Sequence, residues 1–204
     1  MKVDEKLKEV VERESQVLQG EEGRSAIYYS RKAFDYAEEA EEAYRQAVDK
    51  LFDVNGWSDI GGLTTAKFSL YDPDGKPTDH LELGCFVKVE LPGPFPENWV
   101  RVNEVYEEDF VAEFKVHPSH SPLNKEHQEV VDHFFTSDAS SSFRVTLKEK
   151  LLSAYEIGRD EYINNRDEES GDRKVTNTLI SEGGWMAFQK IQWQSLTDYL
   201  VGES

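Results

Sequence analysis

The chain has 204 residues, with 23 Lys and Arg against 41 Asp and Glu, and a formal net charge of -18 at pH 7. A field of that sign repels nucleic-acid phosphates and anionic lipid surfaces, which argues against direct nucleic-acid or membrane binding and admits a basic protein partner. The only cysteine, Cys85, forbids an internal disulfide, and the charged stretch 1–14 holds no signal-like apolar region, so a cytoplasmic setting is expected.

Residues 2–19 carry Val3, Leu7, Val10, Val11, Val17 and Leu18 at helical spacing. Gly20 and Gly23 mark a break. A second helix is predicted from Ser25 to Phe52, striped by Ala26, Tyr29, Ala33, Tyr36, Ala37, Ala40, Ala43, Tyr44, Ala47 and Leu51. Small residues at this spacing let another helix approach closely. Residues 1–55 are therefore expected to form a helical hairpin arm that can self-associate into a homo-oligomer or dock a partner.

Residues 56–204 read as a β-rich body. Trp57 and Ile60 cover the junction after Asn55-Gly56. Ala66-Phe68-Leu70 alternates with polar residues, as a half-buried strand does. Asp72-Pro73-Asp74-Gly75 is a turn signal, because Pro presets φ and Gly accepts a positive one. Strands are predicted at Phe86–Leu91, Trp99–Tyr106 and Phe110–Val116, the last two as a hairpin. A rigid loop, Pro92-Gly93-Pro94-Phe95-Pro96, precedes that hairpin.

Ser121-Pro122 opens a short helix that carries Leu123, His127, Val130, Val131 and Phe134 inward. Phe143-Val145-Leu147 and Leu151–Ile157 form a closing hairpin across Lys148-Glu149-Lys150. A polar loop occupies 164–176. The aromatic stretch Trp185–Val201 fits either a strand followed by a helix or one longer helix. The fold class is thus α+β: a long N-terminal helical hairpin, then a small antiparallel β-barrel or curled sheet with one short inserted helix.

No catalytic signature emerges, and no cofactor is implied. Four of five histidines cluster as His117, His120, His127 and His133, with Glu126 and Asp132 nearby. His127 and His133 are six residues apart, whereas a paired helical metal site wants i,i+4. Asp132-His133 with Ser140-Ser141-Ser142 holds the residue types of a hydrolase but no G-x-S-x-G elbow. Of the acidic run Arg159-Asp160-Glu161-Tyr162, only one of two adjacent carboxylates could face a pocket.

Rigid loops and helices that present aromatics make better contact surfaces. The reading is therefore a non-catalytic, acidic interaction or assembly protein. It would bind a protein partner through Tyr29, Tyr36, Tyr44, Phe95 and Trp99, with the β body holding a partner or small ligand. The alternative is a metal-dependent or Ser/His hydrolase centred on 117–133.

Overall fold

A computed structural model describes residues 24–60, 66–91, 97–123, 133, 135–161 and 185–203. Seven antiparallel strands form one sheet in the order β1-β7-β6-β5-β4-β3-β2. They are β1 (Arg24–Ala33), β2 (Lys67–Tyr71), β3 (Phe86–Glu90), β4 (Asn98–Glu108), β5 (Val111–Pro118), β6 (Ser140–Lys148) and β7 (Leu151–Glu161). Two α-helices are described, α1 (Ala37–Phe52) and α2 (Trp185–Val201), with a short 3-10 turn at Asn55–Asp59. Among the described residues the sheet is open, with β1 and β2 at its edges.

This corrects the expected N-terminal helical hairpin. Residues 24–33 form an edge strand, and the helix spans only Ala37–Phe52. The stretch 2–19 lies outside the described residues. The period-3.6 stripe between Ala26 and Tyr36 competes with a period-2 alternation. Ser25, Ile27, Tyr29 and Arg31 are exposed, while Ala26, Tyr28, Ser30 and Lys32 are turned inward. Pairing along Ile27↔Ile157 to Ala33↔Leu151 supplies the hydrogen bonds that decide between the two.

The strands expected from Ala66 to Ile157 are present. Asp72–Gly75 is a turn in which Asp72 Oδ1 accepts from the backbone N–H of Asp74 and Lys76, with Gly75 at φ 81°. The hairpins β4–β5 and β6–β7 close through Asp109-Phe110 and Glu149-Lys150. Trp185–Val201 is one helix. The predicted short helix after Ser121 and the loop at 164–176 lie almost wholly outside the described residues.

One face of the sheet carries the core. Phe68, Val87, Val102, Phe114, Val116, Phe143, Val145, Leu147, Leu152 and Ala154 join α1 residues Ala40, Tyr44, Ala47 and Leu51 and α2 residues Leu196, Leu200 and Val201 in one buried cluster. The α1 set falls at i, i+4, i+7 and i+11, so one stripe of the helix lies against β6, β7 and α2. α2 packs against β1, β7 and α1. Each fully buried large apolar side chain contributes about 1.5–3 kcal/mol.

The contact between α2 and β1 is polar. Ser30 Oγ donates to Asp198 Oδ1, accepts from Gln194 Nε2 at 2.9 Å and lies 2.9 Å from Thr197 Oγ1. Lys32 Nζ donates to the carbonyl of Gly202 at 2.9 Å. These bonds seat the C-terminal helix on the edge strand.

Candidate functional site

Between the inner sheet face, the 3-10 turn and α2 lies a cavity of about 70 Å³, measured as space open to the centre of a water molecule. Aromatic rings form its walls. Trp57 lies 5.0 Å from Phe143 and 5.6 Å from Phe68, Phe114 lies 5.1 Å from Phe143, and Trp193 lies 5.4 Å from Phe143. Val87, Val89 and Val116 line it further. Trp57 is fixed by its own hydrogen bond, Nε1–H to the carbonyl of Lys50 at 2.9 Å.

Polar groups reach the same space from His133, Ser140, Ser141 and Glu161. Glu161 is buried there at 3% exposure. Its inward direction comes from a bulge. Ala26 pairs with Gly158 and Arg24 with Glu161, so β7 spends one residue more than β1. Asp160 takes up the excess at φ 52° and points to solvent. The extra residue carries Glu161 to the inner face, where Glu156 is already buried at 1% exposure. Gly158 leaves room between them. A Cβ on it would stand 2.7 Å from Glu161 Oε1 and 3.7 Å from Glu156 Oε1.

His133 is buried, and its Nδ1 accepts the backbone N–H of Phe135 at 2.9 Å. A neutral imidazole has one acceptor and one donor nitrogen, so Nε2 carries the proton. In that tautomer the ring has no nitrogen left to take a proton from Ser140 or Ser141. This argues against the hydrolase alternative, although serine, histidine and a carboxylate share the cavity wall.

Among the described residues, His117, His120 and His133 do not converge. His117 pairs with Arg101 and alternates with Val116 and Pro118, so it lies on the sheet face opposite the cavity. His120 packs against Phe86, 5.8 Å between ring centroids. His133 lines the cavity, and His127 lies outside the described residues. Among the described residues, no group of three or more His, Cys, Asp or Glu could hold a metal ion.

Of the five residues assigned to partner binding, the four among the described residues lie apart from one another. Tyr29 is exposed on edge strand β1, stacked near Tyr155 at 6.3 Å. Tyr36 is exposed at the start of α1. Tyr44 is buried beneath Phe110, 5.8 Å away. Trp99 is buried, paired in register with Lys88 and 5.2 Å from Tyr71. Phe95 lies outside the described residues. No helix among the described residues is long and apolar enough to cross a membrane.

Sequence reasoning did not assemble Trp57, Phe114, Phe143, Glu161 and Trp193 into a site. The one available signal was the excess of aromatics in Trp185–Val201, too many to leave in water.

No protein-family model matches the chain, and no curated protein matches it. Solved structures with a similar outline include a hypothetical protein of Helicobacter pylori, at 12% identity and TM-score 0.47, covering 91% of this chain and 92% of that one. An aromatase/cyclase from a Streptomyces species is similar at 14% identity and TM-score 0.48, over 88% of this chain and 92% of that one. Norcoclaurine synthase from Thalictrum flavum, in complex with dopamine and hydroxybenzaldehyde, is similar at 9% identity and TM-score 0.43, over 92% and 93%. Likenesses this distant leave function to the residues of this chain.

Proposed function

We propose that this protein is a binding protein for a small apolar, aromatic molecule held between the inner sheet face and α2. The observation that carries the reading is the cavity itself. Among the described residues, six aromatic side chains line it (Trp57, Phe68, Phe114, Phe135, Phe143 and Trp193), with a few polar residues, His133, Ser140, Ser141 and Glu161. Apolar walls with a small number of placed polar groups are the usual composition of a small-molecule site. A space left between rings forgoes dispersion contacts on both sides, so a guest that fills it restores them.

The test is a titration with isopropylbenzene, followed by proton–nitrogen NMR of the full chain. Saturable shifts of the Trp57 and Trp193 indole signals are expected. Ala139 is buried on the cavity wall, and Ala139→Phe should occupy the space and abolish those shifts while the spectrum stays dispersed. Shifts that grow linearly without saturation, or that survive Ala139→Phe unchanged, would overturn the reading.

A further inference from the structure

Another hollow opens at the surface between α1 and the tip of the β4–β5 hairpin. Its volume is about 430 Å³, measured as space open to the centre of a water molecule. α1 supplies Glu41, Tyr44 and Arg45, which fall at i, i+3 and i+4 and so share one face of the helix. The hairpin supplies Glu107, Glu108, Asp109 and Phe110. None of these residues lines the cavity beneath α2.

The carboxylates of Glu41, Glu107, Glu108 and Asp109 are exposed. Exposed carboxylates alone are explained by solubility. The hydroxyl of Tyr44 is not. Tyr44 is 9% exposed, and its Oη is buried with no hydrogen-bond partner among the described residues. Burial, with the charges of Glu107 and Asp109, raises its pKa to about 12. The hydroxyl therefore stays neutral and lies within the field of the hairpin's carboxylates. Its oxygen can accept hydrogen bonds, and carboxylates only accept them. A guest that satisfies both brings N–H donors and positive charge.

The rings add a second preference. Phe110 packs against Tyr44 with 5.8 Å between centroids and 62° between planes, and it is 44% exposed. A ring this exposed changes rotamer within nanoseconds. Turned aside, it uncovers Tyr44 and offers its face to a cation. Arg45 gives Nε and Nη2 to Glu42 Oε2 at 3.1 and 2.7 Å, and Glu108 accepts from the Tyr106 hydroxyl. Among the described residues the carboxylates do not gather as a metal site would require. A cation with some breadth, able to touch both α1 and the hairpin, suits their spacing.

The geometry points to a binding site for a primary alkylammonium group. Its N–H donors are shared between the Tyr44 hydroxyl and the carboxylates of Glu107 and Asp109, and its alkyl chain lies against Phe110. The site is separate from the aromatic cavity, and neither depends on the other.

Butylammonium chloride and tetramethylammonium chloride are each titrated into the full chain at constant ionic strength, with sodium chloride making up the balance. Proton–nitrogen NMR follows both. Butylammonium should give saturable amide shifts confined to 41–45 and 107–110, with the Trp57 and Trp193 indole signals unmoved. Tetramethylammonium carries the charge without an N–H. It should bind at least about tenfold more weakly, the effect of a hydrogen bond from a charged group. Tyr44→Phe should weaken butylammonium about tenfold and change tetramethylammonium by less than about twofold. Glu107→Gln combined with Asp109→Asn should weaken both cations.

Shifts that grow linearly without saturation, or equal binding of the two cations, overturn the site. So does a Tyr44→Phe variant that binds butylammonium as wild type does. Nα-acetyl-lysine methylamide carries the same ammonium group on a protein side chain. Binding as tight as that of butylammonium supports a lysine as its source, and weaker binding supports a free amine. Should the double variant fail to fold, Tyr44→Phe and the comparison of the two cations decide alone.

Discussion

Glu161 Oε1 occupies the space beside Gly158 so closely that a Cβ there would stand 2.7 Å from it. The relationship ties a backbone feature, the β7 bulge, to the carboxyl group that the described residues place on the cavity wall. Gly158→Ala should push that group aside and cost about 1–3 kcal/mol, the range for overpacking a buried site. Urea unfolding measures the loss, and an unchanged midpoint would contradict the geometry. Asp160→Gly, by contrast, should be tolerated, because φ 52° suits glycine at least as well.

Ser30 anchors α2 through hydrogen bonds to Asp198, Gln194 and Thr197. Ser30→Ala removes the hydroxyl, while Thr197 Oγ1 keeps its bond to the Gln194 carbonyl and Asp198 Oδ1 keeps the one from Gln194 Nε2. The expected cost is about 0.5–1.5 kcal/mol, that of a net hydrogen bond. Loss should be local first, so amide exchange over 191–201 should accelerate more than exchange in β5 and β6. Uniform acceleration across the sheet would refute a local anchoring role.

Tyr44 has a buried hydroxyl with no hydrogen-bond partner among the described residues. Burial, reinforced by the negative charges of Glu107 and Asp109, pushes its pKa from 10.0 up to about 12. The folded state therefore holds the phenolic proton more tightly than the unfolded state. That contribution to stability is fully present below pH 10 and is lost as pH rises through about 12. Tyr44→Phe should be neutral or up to about 1 kcal/mol more stable at pH 7. Its advantage over wild type should widen from pH 9 to about 11 in parallel unfolding titrations. A gap that narrows with pH would reverse the sign and refute the assignment.

Cys85 is completely buried, with its Sγ 3.7 Å from the carbonyl of His80, and burial pushes its thiol pKa up. Thiolate is the reactive form, so a thiol reagent at pH 7.5 should label the folded protein at least about tenfold more slowly than free cysteine. Denaturant should restore the free rate. Fast labelling of the folded chain would show that the segment from His80 to Cys85 opens readily.

Several elements were legible because their neighbours are apolar and their periodicity is therefore written in hydrophobicity. Phe110, Ala112, Phe114 and Val116 alternate, and so do Phe143, Val145 and Leu147. Both runs lie in the strands expected of them. β1 was misread for the opposite reason. Its inward residues, Ala26, Tyr28, Ser30 and Lys32, meet a β-bulge at one end and the polar side of α2 further along, so no apolar alternation announces the strand. Alanines and tyrosines in that stretch happen to fall at helical intervals as well.

By itself, the sequence determined the acidic balance, the buried character of Cys85 and the antiparallel strands between Ala66 and Ile157. Composition and short-range alternation suffice for these, since each depends on residues only a few positions apart. Only the tertiary structure decided that residues 24–33 join β7, that α2 closes one side of the core, and that Glu161 turns inward beside Gly158. Those outcomes depend on pairing across more than a hundred residues and on a single-residue bulge. Neither leaves a periodic trace in the chain, because a register shift of one residue exchanges inner and outer faces without changing any local preference.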